Sequence, residues 1–214
     1  MNNWLLSYPK SGRTWLRVII DQLGVKYNYS HAFDGNKKSN VVYLYRDPIE
    51  TFVSYYFQLI HRRGMNDEHF SGTIKEFTNS RYLLEIVRHH EQLIHNKDVY
   101  NNLLCLSYKD LHLNGPQSAF DAVKHFGGNT TIDACIDAYN VASMENMRNP
   151  PPQFRNKKYA LEPSSSNAPK DAYKARDGKM NNYYQYLDTE DIAKLKSILD
   201  KNNYQETERL LMNI

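Results

Sequence analysis

Lys10-Ser11-Gly12-Arg13-Thr14 gathers two cations, two hydroxyls and a glycine in five consecutive residues, and Arg46 is followed eight residues later by Ser54. These residue types hold anions. Gly12 lets a backbone approach a ligand closely, Lys10 supplies a mobile charge and Arg13 a planar one, and the Ser11 and Thr14 hydroxyls add neutral donors. Arg46 and Ser54 are about two helical turns apart, near enough to share one phosphate if the arginine folds back. Taken singly, each run has a plainer reading: the first as an ordinary strand-to-helix turn with a solvent-facing lysine, the second as a helix cap made by Asp47 and Pro48.

The surrounding elements give the runs their meaning. Residues 3–8 read as a short buried strand broken by Pro9-Lys10-Ser11-Gly12, after which Trp15, Val18, Ile19 and Leu23 recur at helical spacing up to a stop at Gly24. Residues 27–33 read as a second strand. Val41-Val42-Tyr43-Leu44-Tyr45 is the clearest strand of the chain, ended by Arg46-Asp47-Pro48 and followed by a helix to about Arg63. One long helix is predicted from about Ile74 to His95, a strand over Leu103–Ser107, helices near 116–126 and 131–147, and a closing helix over Thr189–Lys201 capped by Asp188. This alternation predicts an α/β fold: a central, mostly parallel sheet of about four or five strands flanked by helices, in a P-loop-like three-layer architecture within one domain over 1–214. Residues 149–174 carry Pro150-Pro151-Pro152 and Pro163-Ser164-Ser165-Ser166 without an apolar period, and read as a substrate or lid loop. Both anion turns then fall at carboxyl ends of strands, the edge where parallel α/β sheets bind ligands. Two phosphate sites imply a ligand with two phosphates.

In this order and context the chain resembles the sulfotransferases that use 3′-phosphoadenosine 5′-phosphosulfate (PAPS). Tyr8-Pro9-Lys10-Ser11-Gly12-Arg13-Thr14-Trp15 is similar to the family's 5′-phosphosulfate loop, and Tyr45-Arg46-Asp47-Pro48 through Ser54-Tyr55-Tyr56 to its 3′-phosphate motif. Leu106-Ser107-Tyr108-Lys109-Asp110-Leu111, Ser143-Met144-Glu145-Asn146-Met147 and Arg176-Asp177-Gly178-Lys179 are weaker matches further along. The resemblance implies that Lys10, Ser11, Gly12, Arg13 and Thr14 hold the 5′ end. It implies that Arg46 and Ser54 hold the 3′-phosphate, completed by Arg176 and Gly178, and that Trp15, Tyr108 and Met144 flank the adenine. Arg13 stands where the family commonly has threonine, Met144 where it has an aromatic residue, and Asp177 where it has lysine.

The activity so implied is transfer of a sulfuryl group from PAPS to a hydroxyl or amine of a small-molecule or glycan acceptor, with 3′-phosphoadenosine 5′-phosphate (PAP) as product and no metal. Lys10 would neutralise charge on the departing oxygen. The base expected on the segment between the two motifs is His31, the histidine found there, with Asp34 as the fallback. His90 and His95 miss the zinc-protease spacing by one residue and read as solvated helix surface.

Composition bounds the alternatives. A formal charge of +3, from 27 basic and 24 acidic residues, is too slight to argue for nucleic acid as partner. Two cysteines give no disulfide framework, and the sequence holds neither an apolar run of membrane-spanning length nor a secretion signal, so a cytoplasmic enzyme acting away from membranes is expected. Two rival readings remain open. One is a PAP-binding module without turnover; the other is a nucleotide kinase, although the chain lacks the Walker spacing Gly-x-x-x-x-Gly-Lys-Ser/Thr.

Overall fold

The structure is a computed structural model, and it describes residues 2–33, 38–62, 68–149, 151, 152, 159 and 180–214. Four strands, β1 (Asn3–Leu6), β2 (Asn28–Ser30), β3 (Lys38–Tyr45) and β4 (Tyr100–Ser107), form a parallel sheet in the order β2-β1-β3-β4. Leu6 pairs with Ser30 on one side and Tyr43 on the other, and Tyr45 pairs with Ser107. All four strands therefore deliver their following residues to one rim, with β3 and β4 reaching beyond β1.

Ten helices flank the described sheet: α1 (Arg13–Gln22), α2 (Pro48–His61), α3 (Ile74–Phe77), α4 (Tyr82–His95), α5 (Tyr108–Leu113), α6 (Gly115–His125), α7 (Ile132–Val141), α8 (Met144–Arg148), α9 (Thr189–Lys201) and α10 (Tyr204–Met212). Strand alternation splits the core in two. Leu5, Val42, Leu44 and Leu106 face a cluster built with Leu16, Ile19 and Ile20 of α1 and with Ala119 and Val123 of α6. Leu6, Val41, Tyr43 and Tyr45 face the other way, onto Leu93 of α4 and Leu211 of α10. β3 is buried from Val41 to Tyr45, which is why it reads as an unbroken apolar run. A third cluster joins Phe52, Tyr55 and Leu59 of α2 to Phe77, Leu83 and Ile86 of α3 and α4 and to Ile192 and Leu195 of α9.

Three differences from the expected elements have local causes. The helix expected over 74–95 is two helices: Thr73 and Glu76 close a capping box on α3, and the chain turns at Thr78, whose hydroxyl donates to Lys75 O at 2.8 Å. The helix expected over 131–147 stops at Ala142 and restarts, because the Ser143 side chain accepts from Asn146 N and caps α8. Beyond α9 the chain continues into α10, and this corrects the reading of His90. His90 is fully buried between α4 and α10, with Nδ1 2.9 Å from the Tyr204 hydroxyl, whereas His95 is exposed as expected. The caps foreseen at Asp47 and Asp188 are both made, to Glu50 N and Asp191 N at 2.8 Å each. The loop expected over 149–174 lies almost entirely outside the described residues, as do Asp34, Arg176 and Gly178.

Candidate active site

The turn after β1 is tightly wound. Lys10 has φ 72° and Gly12 φ 94°, both in the left-handed region that costs a side-chain-bearing residue about 1–2 kcal/mol. Gly12 is required on a second count: a Cβ there would lie 2.5 Å from Cδ2 of Tyr108. The winding buries Ser11 completely, and its Oγ has no partner among the described residues. It also turns the chain into α1, whose first N–H groups, at Arg13 and Thr14, lack acceptors within the helix. A buried hydroxyl, opening amides and a close-packed glycine form a cradle of the kind that takes a phosphate.

The turn after β3 carries Arg46, 8% exposed, in a fixed pose. Its Nε donates to Glu50 Oε2 at 2.8 Å, its Nη1 donates to Lys10 O at 3.4 Å, and its Cζ lies 4.2 Å from the ring centre of Tyr108. Glu50 is buried and uses its other oxygen to accept from Asn181 N. Ser54 lies two turns along α2, and Tyr108 is set at the start of α5 by Ser107, which caps that helix through Asp110 N at 2.9 Å. Both turns thus meet on the single aromatic ring of Tyr108, with Gly12 against its edge and Arg46 over its face.

A cavity of about 230 Å³ opens over this rim. Lys10, Gly12, Arg13, Thr14 and Trp15 line it from the first turn, and Arg46 and Ser54 from the second. Tyr108, Met144 and His31 line it as well, Ser11 is buried out of the lining, and the expected Arg176 and Gly178 lie outside the described residues. Trp15 is held by a bond from its Nε1 to Ala142 O at 2.9 Å and meets Tyr108 edge to face at 5.9 Å. Three further lining residues were not anticipated: Arg17, Gln58 and Met147. Each lies three or four residues past an expected one, at Arg13, Ser54 and Met144, so helical spacing would have found them.

A model of the sulfotransferase domain matches residues 32–208. The chain belongs to the sulfotransferase family. The match takes in Arg46, Ser54, Tyr108 and Met144 and begins downstream of the Lys10 turn, which only the fold comparison reaches. Mouse sulfotransferase SULT7A1 complexed with PAP superposes with a TM-score of 0.68 at 16% identity, covering 99% of this chain and 87% of that one. Retinol dehydratase superposes with TM-scores of 0.67 in complex with androsterone and inactive cofactor PAP, and 0.68 with retinol and PAP; each is 13% identical and covers 94% of this chain and 80% of that one. These likenesses establish the fold. No curated protein matches the chain in sequence.

In this sulfotransferase the β2 edge of the rim is built differently from the β3 side. His31 follows β2 directly, and its Nδ1 lies 2.8 Å from Ser7 O, a group that only accepts, so Nδ1 carries the proton. Nε2 then presents its lone pair, which accepts from Nη2 of Arg13 at 2.7 Å. Behind it, His89 donates from Nε2 to His31 O at 2.8 Å and accepts at Nδ1 from the Tyr43 hydroxyl at 2.7 Å. Burial pushes the His89 pKa down to about 4, so this supporting ring stays neutral. Among the described residues no helix is long and apolar enough to cross a membrane, and no group of three or more His, Cys, Asp or Glu side chains is placed to hold a metal. Cys105 and Cys135 are free thiols, and burial pushes Cys105 up to about 12, far from a reactive thiolate.

Proposed function

We propose that this sulfotransferase takes its sulfuryl group from PAPS and delivers it to a hydroxyl or amine, releasing PAP. One observation carries the reading: Arg46 and the Lys10 turn touch, through Nη1 and Lys10 O at 3.4 Å, on the rim of one cavity. Two anion sites so joined suit a nucleotide phosphorylated at both ends of its ribose. The residues present fit such a ligand, since Ser11 Oγ is buried without a partner among the described residues, at the turn that opens α1.

In this reading Lys10, Ser11 and Thr14, with Gly12 and the main-chain N–H of Arg13, hold the 5′ end. Arg46 and Ser54 hold the 3′-phosphate, with Arg176 and Gly178 completing that site. Trp15, Tyr108 and Met144 border the adenine. His31 is the base: Nδ1 is fixed on Ser7 O, and Nε2, which accepts from Arg13 Nη2, receives the proton of the acceptor once that bond opens. As the acceptor oxygen bonds to sulfur, the bond from sulfur to the 5′-phosphate oxygen breaks, and Lys10 with the cradle amides neutralises the charge gained by that oxygen. The proton resides on His31 and the electron pair leaves with PAP. The free thiols and the modest net charge favour a cytoplasmic enzyme acting on a small molecule or a glycan.

Incubation with sulfur-labelled PAPS and a panel of phenols, alcohols, sugars and amines tests the reading. Label transferred to an acceptor, with release of PAP, is expected. A protein that binds PAP and transfers nothing would be a nucleotide-binding module, and one that binds ATP in preference to PAP would remove the donor assignment.

A further inference from the structure

Two arginines lie on the β2 side of the first turn, where the donor arrangement has no phosphate for them. Arg13 and Arg17 are one turn apart on α1, and both guanidiniums lean on Tyr29 of β2, at 5.2 and 3.6 Å from its ring centre. β2 pairs with β1 on the edge opposite β3, so this pair borders the cavity on its β2 side, while Arg46 and Tyr108 border it from β3 and β4. Arg13 uses Nη2 on His31; its Nη1 is sealed from solvent and has no partner among the described residues, where no carboxylate pairs with Arg13. Burial and the neighbouring Arg17 lower its pKa to about 10. A half-buried cation whose Nη1 is idle, a second cation one turn behind it and the candidate base 2.7 Å away make a site suited to an anion.

We propose that the acceptor carries an acidic group, a carboxylate or another oxyacid, a few atoms from its reacting hydroxyl, and that Arg13 backed by Arg17 holds that group. The proposal rests on the sulfotransferase reading above and names its substrate class. Docking supplies Nη1 with an acceptor and draws the guanidinium toward the ligand, off the lone pair of His31. The ligand that satisfies Arg13 thereby releases Nε2 for the hydroxyl proton, so acidic acceptors gain in turnover as well as in binding. In this arrangement the main chain of Arg13 serves the donor and its side chain the acceptor.

Matched acceptor pairs test this: 4-hydroxybenzoate against 4-hydroxybenzyl alcohol, and glucuronate against glucose, each assayed for label transfer and titrated into PAP-saturated protein. The acidic member of a pair is expected to lead by about ten- to a hundredfold in affinity or kcat/KM, the worth of a charge-assisted hydrogen bond. Arg13→Thr is expected to bring the two members of that pair level, while PAP titration of the same variant reads the donor site separately. Neutral members that match or exceed the acidic ones would overturn the proposal. So would an Arg13→Thr enzyme that keeps the preference, or one whose sole defect is in PAP affinity. Failure of the wild-type protein to bind PAP would instead defeat the donor reading.

Discussion

The two sides of the β1 turn solve the problem of holding charge in opposite ways. Toward β3 and β4, Arg46 is braced by Glu50, by Lys10 O and by the Tyr108 face, and Gly12 is packed against the same ring. Toward β2, Arg13 leans on Tyr29 and borrows the lone pair of His31, leaving one nitrogen idle. The first side is finished before any ligand arrives and the second is not. Preorganised charge suits a donor whose phosphates are the same in every turnover, while an uncompensated cation waits for a partner that defines specificity.

This contrast is broken or sharpened by variants that act on one side only. The largest effect is expected at the β2 edge: His31→Ala lowers kcat by about 10²–10⁴, the range for loss of a positioned general base, while PAP affinity stays near wild type. Calorimetric PAP binding alongside turnover checks it, and a loss of both would mean that the edges are not separate. Lys10→Met, on the shared turn, lowers kcat by about 10²–10³ through loss of charge stabilisation on the departing oxygen. Single-turnover rates measured at saturating PAPS distinguish that from weaker binding. Gly12→Ala strikes the donor side: the new Cβ meets Tyr108 at 2.5 Å and keeps φ in the left-handed region, so PAP affinity falls about tenfold. An unchanged dissociation constant would show that the ring yields freely and that the donor side is less rigid than its contacts imply.

The smallest effect concerns stability, through two buried rings: His89 behind His31, and His90 beside it on α4 against Tyr204 of α10. Burial lowers the pKa of His89 to about 4 and of His90 to about 3, below the ordinary value of about 6.5. Unfolded chains take up these protons as pH falls through about 6.5, whereas the folded protein excludes them until far lower. The stabilisation is therefore complete above that pH and is lost on acidification, by on the order of 2 kcal/mol for each ring near pH 5. Urea unfolding between about pH 7 and about pH 5 should show a falling midpoint, and His90→Gln should flatten the dependence.

That the two turns share one rim was legible in the sequence because their groups are contiguous and stand at strand ends: Lys10 to Thr14 in one run, Arg46 closing β3 with Ser54 two turns along α2. The parallel sheet was legible for a similar reason, since Val41 to Tyr45 could only be a strand buried on both faces. What escaped depends on contacts distant in sequence. Thr78-Asn79-Ser80-Arg81 holds no glycine or proline to stop a helix, so the break between α3 and α4 shows only in capping bonds. His90 reads as surface until α10, more than a hundred residues away, places Tyr204 over it. The pairing of Arg13 with His31 and Tyr29 likewise needs β2 laid beside β1. Nothing in the sequence singles out Glu50, whose Oε2 fixes Arg46.

The proposed donor site requires the two turns to hold one nucleotide by both of its phosphates. Calorimetric titration of the wild-type protein and of Arg46→Ala with PAP and with adenosine 5′-phosphate measures it directly. The wild type is expected to bind PAP about a hundredfold more tightly than adenosine 5′-phosphate, and Arg46→Ala to lose most of that preference. Equal affinity of the wild type for the two nucleotides would contradict it.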